Sequence, residues 1–185
     1  YQQAASNNKR VQALGGAKNH LVVMPDANLK QAVEGIIGAA YGSAGERCMA
    51  VSVAVAVGNI ADKLVEDIYE STQKLKVAPW TDKDSDMGPL ISKEHLDKVK
   101  NYIDTGLKEG AELVADGRNY KLQGYENGYF IGPCLFDHVS KDMTIYKEEI
   151  FGPVLSIVRV RNYEEALSLI NKHKLGNGTS IYTSD

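Results

Sequence analysis

The run Val51-Ser52-Val53-Ala54-Val55-Ala56-Val57 constrains this chain more than any other segment. Its valines are β-branched and fit a pleated strand, and the residues between them are small and mostly apolar. A strand without a polar face has to be covered on both sides, as in a largely parallel sheet sandwiched by helices. No window approaches the roughly 18 uninterrupted apolar residues that a membrane span needs.

The flanking segments agree with such a sheet. Leu21-Val22-Val23-Met24 is a second apolar run, ended by Pro25-Asp26. Leu29, Ala32, Val33, Ile36, Ile37 and Ala40 then follow helical spacing, with Asp26 expected as N-cap. Gly35 and Gly38 weaken that helix and point to close packing against another backbone; Gly42 to Gly45 stops it. A second helix is expected over Ala61–Lys74, and Ser92 caps a third whose apolar positions are Leu96, Val99, Ile103 and Leu107. Pro79, Asp82, Asp84, Gly88 and Pro89 mark the loop between them. Further strands are expected at Glu112–Ala115, Tyr129–Ile131, Val154–Val160 and Ile181–Tyr182. Asn162 with Glu165 opens a last helix. The alternation predicts one α/β domain of 185 residues, a mostly parallel sheet with helices on both faces.

Lys and Arg total 21 against 24 Asp and Glu, a formal net charge of -3, so there is no basic footprint for nucleic acid or an anionic membrane. Two cysteines and four scattered histidines make neither a disulfide framework nor a metal site. Tyr1 to Arg10 has no apolar core of a secretory signal. The expectation is a metal-free protein of the cytoplasm, or of the mitochondrial matrix in a eukaryote. The chain starts at Tyr1 and stops at Asp185 directly after a strand-like run, which suggests a piece of something longer.

Three clusters can carry chemistry. In Gly42-Ser43-Ala44-Gly45-Glu46-Arg47-Cys48-Met49, glycines and a cation surround a cysteine. A thiolate is the reactive form of cysteine, and positive charge with turn N–H groups stabilises it. Cys48 is therefore either an activated nucleophile or a small buried hydrophobe. Cys134, in an apolar stretch, reads as structural. Leu14-Gly15-Gly16-Ala17-Lys18-Asn19-His20 precedes a strand instead of following one, so it is not a dinucleotide fingerprint. Lys147-Glu148-Glu149-Ile150-Phe151-Gly152-Pro153-Val154 offers a carboxylate and an aromatic ring to a ribose, or is a solvated loop. His95 and His173 are expected on charged helix faces, so a histidine-assisted cysteine hydrolase has little support.

Taken together and in this order, the clusters resemble the aldehyde dehydrogenase superfamily over about Lys9 to Asp185. Met87-Gly88-Pro89-Leu90-Ile91 resembles a structural turn of the same superfamily. Gly16-Ala17-Lys18-Asn19-His20, Glu46-Arg47-Cys48-Met49-Ala50, Gly124-Tyr125-Glu126-Asn127-Gly128 and Gly176-Asn177-Gly178-Thr179 are similar to its CoA-acylating methylmalonate-semialdehyde (malonate-semialdehyde) dehydrogenases. The resemblance implies residues 1–185 of a nucleophile-bearing catalytic domain, without its NAD-binding domain and oligomerisation segment. It implies Cys48 as nucleophile and NAD as hydride acceptor. Arg47 would bind the substrate carboxylate, Glu149 and Phe151 the nicotinamide ribose. Coenzyme A would be the acyl acceptor, and the full-length parent a homo-oligomer, a tetramer.

Leu14 stands where hydrolytic members carry the glutamate that activates water, and leucine can neither accept a proton nor orient a water. A thioester on Cys48 would then pass to another thiol, with loss of the carboxylate, giving acetyl- or propionyl-CoA. Lys18 and Asn19 are expected to brace the nucleophile loop. A hydrolytic semialdehyde dehydrogenase of the same fold and a non-catalytic association module are the alternatives.

Overall fold

The computed structural model describes residues 1–185. In chain order, α1 (Gln2–Ser6), β1 (Asn19–Val23), α2 (Leu29–Tyr41), a 3-10 turn (Gly42–Gly45), β2 (Val51–Val57), α3 (Ala61–Thr72) and α4 (Lys93–Lys108) come first. Then follow β3 (Glu112–Ala115), β4 (Cys134–Asp137), α5 (Thr144–Lys147), β5 (Val154–Val160), α6 (Tyr163–Asn171) and β6 (Thr179–Tyr182).

The strands form one sheet in the order β3-β4-β5-β2-β1-β6. Every neighbouring pair is parallel except β3 and β4 at one edge. All five residues of β1 and six of the seven in β2 are buried, so both faces of the sheet centre are covered. Helices α2 and α3 pack side by side, α4 packs on α5, and α6 lies on β2 and β5. This is the α/β architecture expected from the sequence.

Three local expectations are corrected. Asn28, not Asp26, caps α2, accepting from the Gln31 N–H at 3.1 Å. Asp26 instead accepts from the Thr183 hydroxyl and the Ser184 N–H beyond β6. Tyr129–Ile131 is not a strand, although Phe130 and Ile131 are buried; the strand forms past Pro133, where Cys134–Asp137 pairs with β3 on one side and β5 on the other. Of the two α2 glycines only Gly35 is tightly packed. A Cβ there would lie 2.0 Å from the Tyr182 hydroxyl, whereas Gly38 meets nothing within 4 Å. The caps at Ser92 and Asn162 form as expected, accepting from the N–H groups of His95 and Glu165.

One consequence of the sheet decides where chemistry can occur. In a parallel sheet the loops that feed the strands all arrive at the same edge. Residues just before β1, β2, β5 and β6 are therefore neighbours in space, however far apart in sequence.

Candidate active site

At that edge lies a cavity of about 890 Å³ lined by the strand-feeding loops: Leu14 to Ala17 before β1, Cys48 before β2, Glu149 and Phe151 before β5, and Leu175 to Asn177 before β6. His95 and Lys98 of α4 and Lys174 complete it. Cys48 is exposed. Its N–H takes part in no hydrogen bond, so it is available to a ligand.

The nucleophile loop is shaped by an unusual turn. Ser43, Ala44 and Gly45 all have positive φ, at 52°, 53° and 71°. At Gly45 a side chain is impossible without movement, because a Cβ would sit 2.2 Å from the Gly152 carbonyl oxygen. This contact places the Cys48 loop against the Phe151-Gly152 turn. Two asparagines then fix Cys48 itself. Asn19 Nδ2 donates to its carbonyl at 2.9 Å and Asn177 Nδ2 donates to the same oxygen at 2.8 Å. Asn19 also donates to Ala50 O and accepts from the Gly178 N–H, joining the starts of β1, β2 and β6.

Opposite Cys48, Glu149 accepts through Oε1 from the Ala17 N–H at 3.2 Å, and its Oε2 has no partner. It is the one carboxylate lining the cavity. Phe151 has φ 60° and is half-buried; its carbonyl accepts from His95 Nε2 at 2.6 Å. Beneath this wall lies Lys18, 1% exposed, whose Nζ donates to the carbonyls of Ile145 and Glu148, each at 2.7 Å. Burial pulls its pKa down to about 7 against the opposing pull of Glu149 and Glu148.

Leu14 is 84% exposed and lines the same cavity as Cys48. Arg47 is exposed as well, but its Nη2 donates to the Gly38 and Ala39 carbonyls at the end of α2, at 2.6 and 3.1 Å. Nη1 and Nε make no hydrogen bond, but both forks of the guanidinium include Nη2, which is engaged, and Arg47 is not among the residues lining the Cys48 cavity.

The histidines depart from expectation. His95 is half-buried, with Nε2 directed at Phe151 O and 3.3 Å from Glu46 Oε1; it lies at the wall of the cavity and makes no bond to Cys48. His173 lies past the end of α6, donates from Nε2 to Tyr146 O and accepts at Nδ1 from the Leu175 N–H. His20 is 1% exposed, with Nδ1 donating to Lys18 O and Nε2 3.2 Å from the Tyr146 hydroxyl. Asn177 and His95 carry no role on sequence grounds, although Asn177 stands two residues before a strand, as Cys48 stands three before another. Cys134 is fully buried and its Sγ accepts from the Gly117 N–H.

No three His, Cys, Asp or Glu side chains converge to hold a metal ion, and no helix is long and apolar enough to cross a membrane. A second cavity, about 940 Å³, lies at the far ends of β4 and β5 between His138 and Lys174; it contains neither cysteine.

Malonate-semialdehyde dehydrogenase of Pseudomonas aeruginosa is 56% identical over 186 residues, covering 100% of this chain and 37% of that protein. The crystal structure of methylmalonate-semialdehyde dehydrogenase from Oceanimonas doudoroffii superposes with a TM-score of 0.96 at 54% identity, over 100% of this chain and 38% of that one. An aldehyde dehydrogenase of Mycobacterium tuberculosis, complexed with NAD+, superposes with a TM-score of 0.94 at 32% identity, again over 100% and 38%. The chain thus spans a little over a third of the length of these relatives. The sequence profile of the aldehyde dehydrogenase family matches residues 1–185. With that match running end to end and half the positions or more shared with individual relatives, the chain belongs to the aldehyde dehydrogenase family.

Proposed function

We propose that the protein containing this chain oxidises malonate semialdehyde or its α-methyl homologue and transfers the acyl group to coenzyme A, with loss of the carboxylate. One observation supports this above the others: exposed Cys48 shares its cavity with Leu14, and the cavity's single carboxylate, Glu149, is bonded to Ala17 N. A nucleophile is present with leucine beside it, while Glu149 Oε1 is held by the Ala17 N–H and His95 Nε2 by the Phe151 carbonyl.

Cys48 Sγ attacks the aldehyde carbon, and the unpartnered Cys48 N–H stabilises the resulting oxyanion. Glu149 suits a ribose diol, because Oε2 is an acceptor with no partner, and Phe151 presents its ring beside it. NAD, when bound there, supplies the hydride acceptor. Arg47 takes the substrate carboxylate by exchanging the Gly38 and Ala39 carbonyls for it, since guanidinium forks onto carboxylate with two parallel hydrogen bonds. A carboxylate β to the thioester carbonyl leaves readily as carbon dioxide because that carbonyl takes up the electron pair as an enolate, which is then protonated at carbon by solvent. The thiol of CoA then releases the acyl group from Cys48.

The test is product analysis on the full-length enzyme with and without CoA. The reading expects acyl-CoA, with turnover stalling after one acylation when CoA is withheld. Free acid formed at the same rate without CoA would make the enzyme hydrolytic and overturn it. Leu14→Glu, which returns a carboxylate to the cavity, is expected to raise the free-acid fraction at least tenfold.

A further inference from the structure

Ala17, Lys18, Asn19 and His20 form a strip at the start of β1 that bonds to both the Glu149 wall and the Cys48 loop of the cavity. Lys18 holds the carbonyls of Ile145 and Glu148, and Ala17 holds the Glu149 carboxylate itself. Asn19 holds the carbonyls of Cys48 and Ala50 and the N–H of Gly178. Consecutive strand residues point to opposite faces, which is why two neighbours in sequence serve two different walls. We infer that Lys18 and Asn19 are positioning residues with separate duties: Lys18 sets the wall bearing Glu149 and Phe151, and Asn19 sets the loop bearing Cys48.

The donor count supports the division. An ammonium has three hydrogens and no acceptor, so Lys18 can only hold carbonyls or carboxylates. Two of its hydrogens are bonded to carbonyls at 2.7 Å, and Glu149 itself follows the second of these by one residue. The Asn19 amide uses both donors and its acceptor, and two of its three bonds go to the segment Cys48–Ala50. Neither side chain is itself among the groups assigned to substrate or ribose. The inference rests on reading Glu149 and Phe151 as the ribose site.

The experiment compares Lys18→Met and Asn19→Ala in the full-length enzyme, measuring the Kd of NAD by fluorescence alongside kcat at saturating NAD. Lys18→Met is expected to weaken NAD binding about tenfold while kcat falls less than threefold, the signature of lost uniform binding. Asn19→Ala is expected to lower kcat about tenfold with the NAD Kd changed less than twofold. Because an emptied interior donor site can prevent folding, Lys18→Gln provides a second arm. Its amide keeps two hydrogens on a shorter stem, so NAD binding about threefold weaker than wild type is expected, with kcat retained. Parallel changes in Kd and kcat in either residue's variants, or unaltered NAD binding in both Lys18 variants, would overturn the division. Wild-type enzyme that binds no NAD would instead remove the ribose reading.

Discussion

Cys48 and Cys134 lie in one domain at opposite extremes of environment. Cys134 is fully buried, and burial pushes its thiol up to about 12. Cys48 is exposed at a cavity of about 890 Å³. Since the thiolate is what reacts, iodoacetamide near neutral pH should give a single adduct by mass spectrometry, on Cys48, with Cys134 modified only after denaturation. Equal labelling of both would contradict the environments described. His20 supplies a second prediction at this scale. Burial holds its pKa down at about 4, with His173 and Lys18 adding to the effect. The unfolded chain therefore binds a proton near pH 6.5 that the folded chain refuses until about pH 4. Stability falls as pH drops through that window and levels off below it, by about 3 kcal/mol for a shift of this size. Lys18 adds nothing to this slope, because its own window lies between about 7 and 10.5. Urea midpoints at pH 7 and pH 4.5 should differ markedly less in His20→Gln than in wild type.

Among the elements, those whose cause is local were readable from sequence and those that depend on a distant partner were not. The caps at Ser92 and Asn162 bond within their own first turns, and β2 and β5 are apolar enough to be recognised alone. The α2 cap was misplaced by two residues because Asp26 and Asn28 are both suitable caps. Only the packing of Thr183 and Ser184, 157 residues or more away, shows that Asp26 is otherwise engaged. Likewise nothing near Asn177 reveals that its amide reaches Cys48 across 129 residues. The glycines show the same split. Gly38 and Gly45 flank the end of α2 and look alike in sequence, yet they should respond oppositely to alanine. Gly38 is exposed within a helix with open space around it, so Gly38→Ala should stabilise by about 0.5–1 kcal/mol. Gly45 has φ 71° and its Cβ would meet a main-chain oxygen, so Gly45→Ala should destabilise by at least about 2 kcal/mol. Melting temperatures moving in opposite directions would bear this out; Gly45→Ala melting like wild type would count against the loop contact.

For the whole molecule, the sheet's polarity explains both what the chain contains and what it needs from elsewhere. Open α/β sheets ordinarily bind ligands beyond the carboxyl ends of their strands. Here the exposed Cys48 lies at the opposite edge, where the loops entering β1, β2, β5 and β6 meet, while the larger cavity at the far ends of β4 and β5 contains no cysteine. A fold-level rule thus points to the far ends of β4 and β5, whereas the residue chemistry of the Cys48 and Glu149 clusters points to the opposite edge. In the proposed function those clusters supply a surface for a ribose and for the reacting carbonyl only. No dinucleotide fingerprint occurs in the sequence, and the site has no second set of groups for the adenosine half. Two hydrogen bonds and one ring face offer little against the entropy lost on binding a free dinucleotide. The 185-residue chain by itself should therefore show no NAD binding tighter than about 1 mM, about -4 kcal/mol, by isothermal titration. The full-length enzyme should bind far more tightly. A micromolar Kd for the isolated chain would mean that the whole dinucleotide is held at this single edge of the sheet, and the division of binding between this segment and the rest of the protein would have to be abandoned.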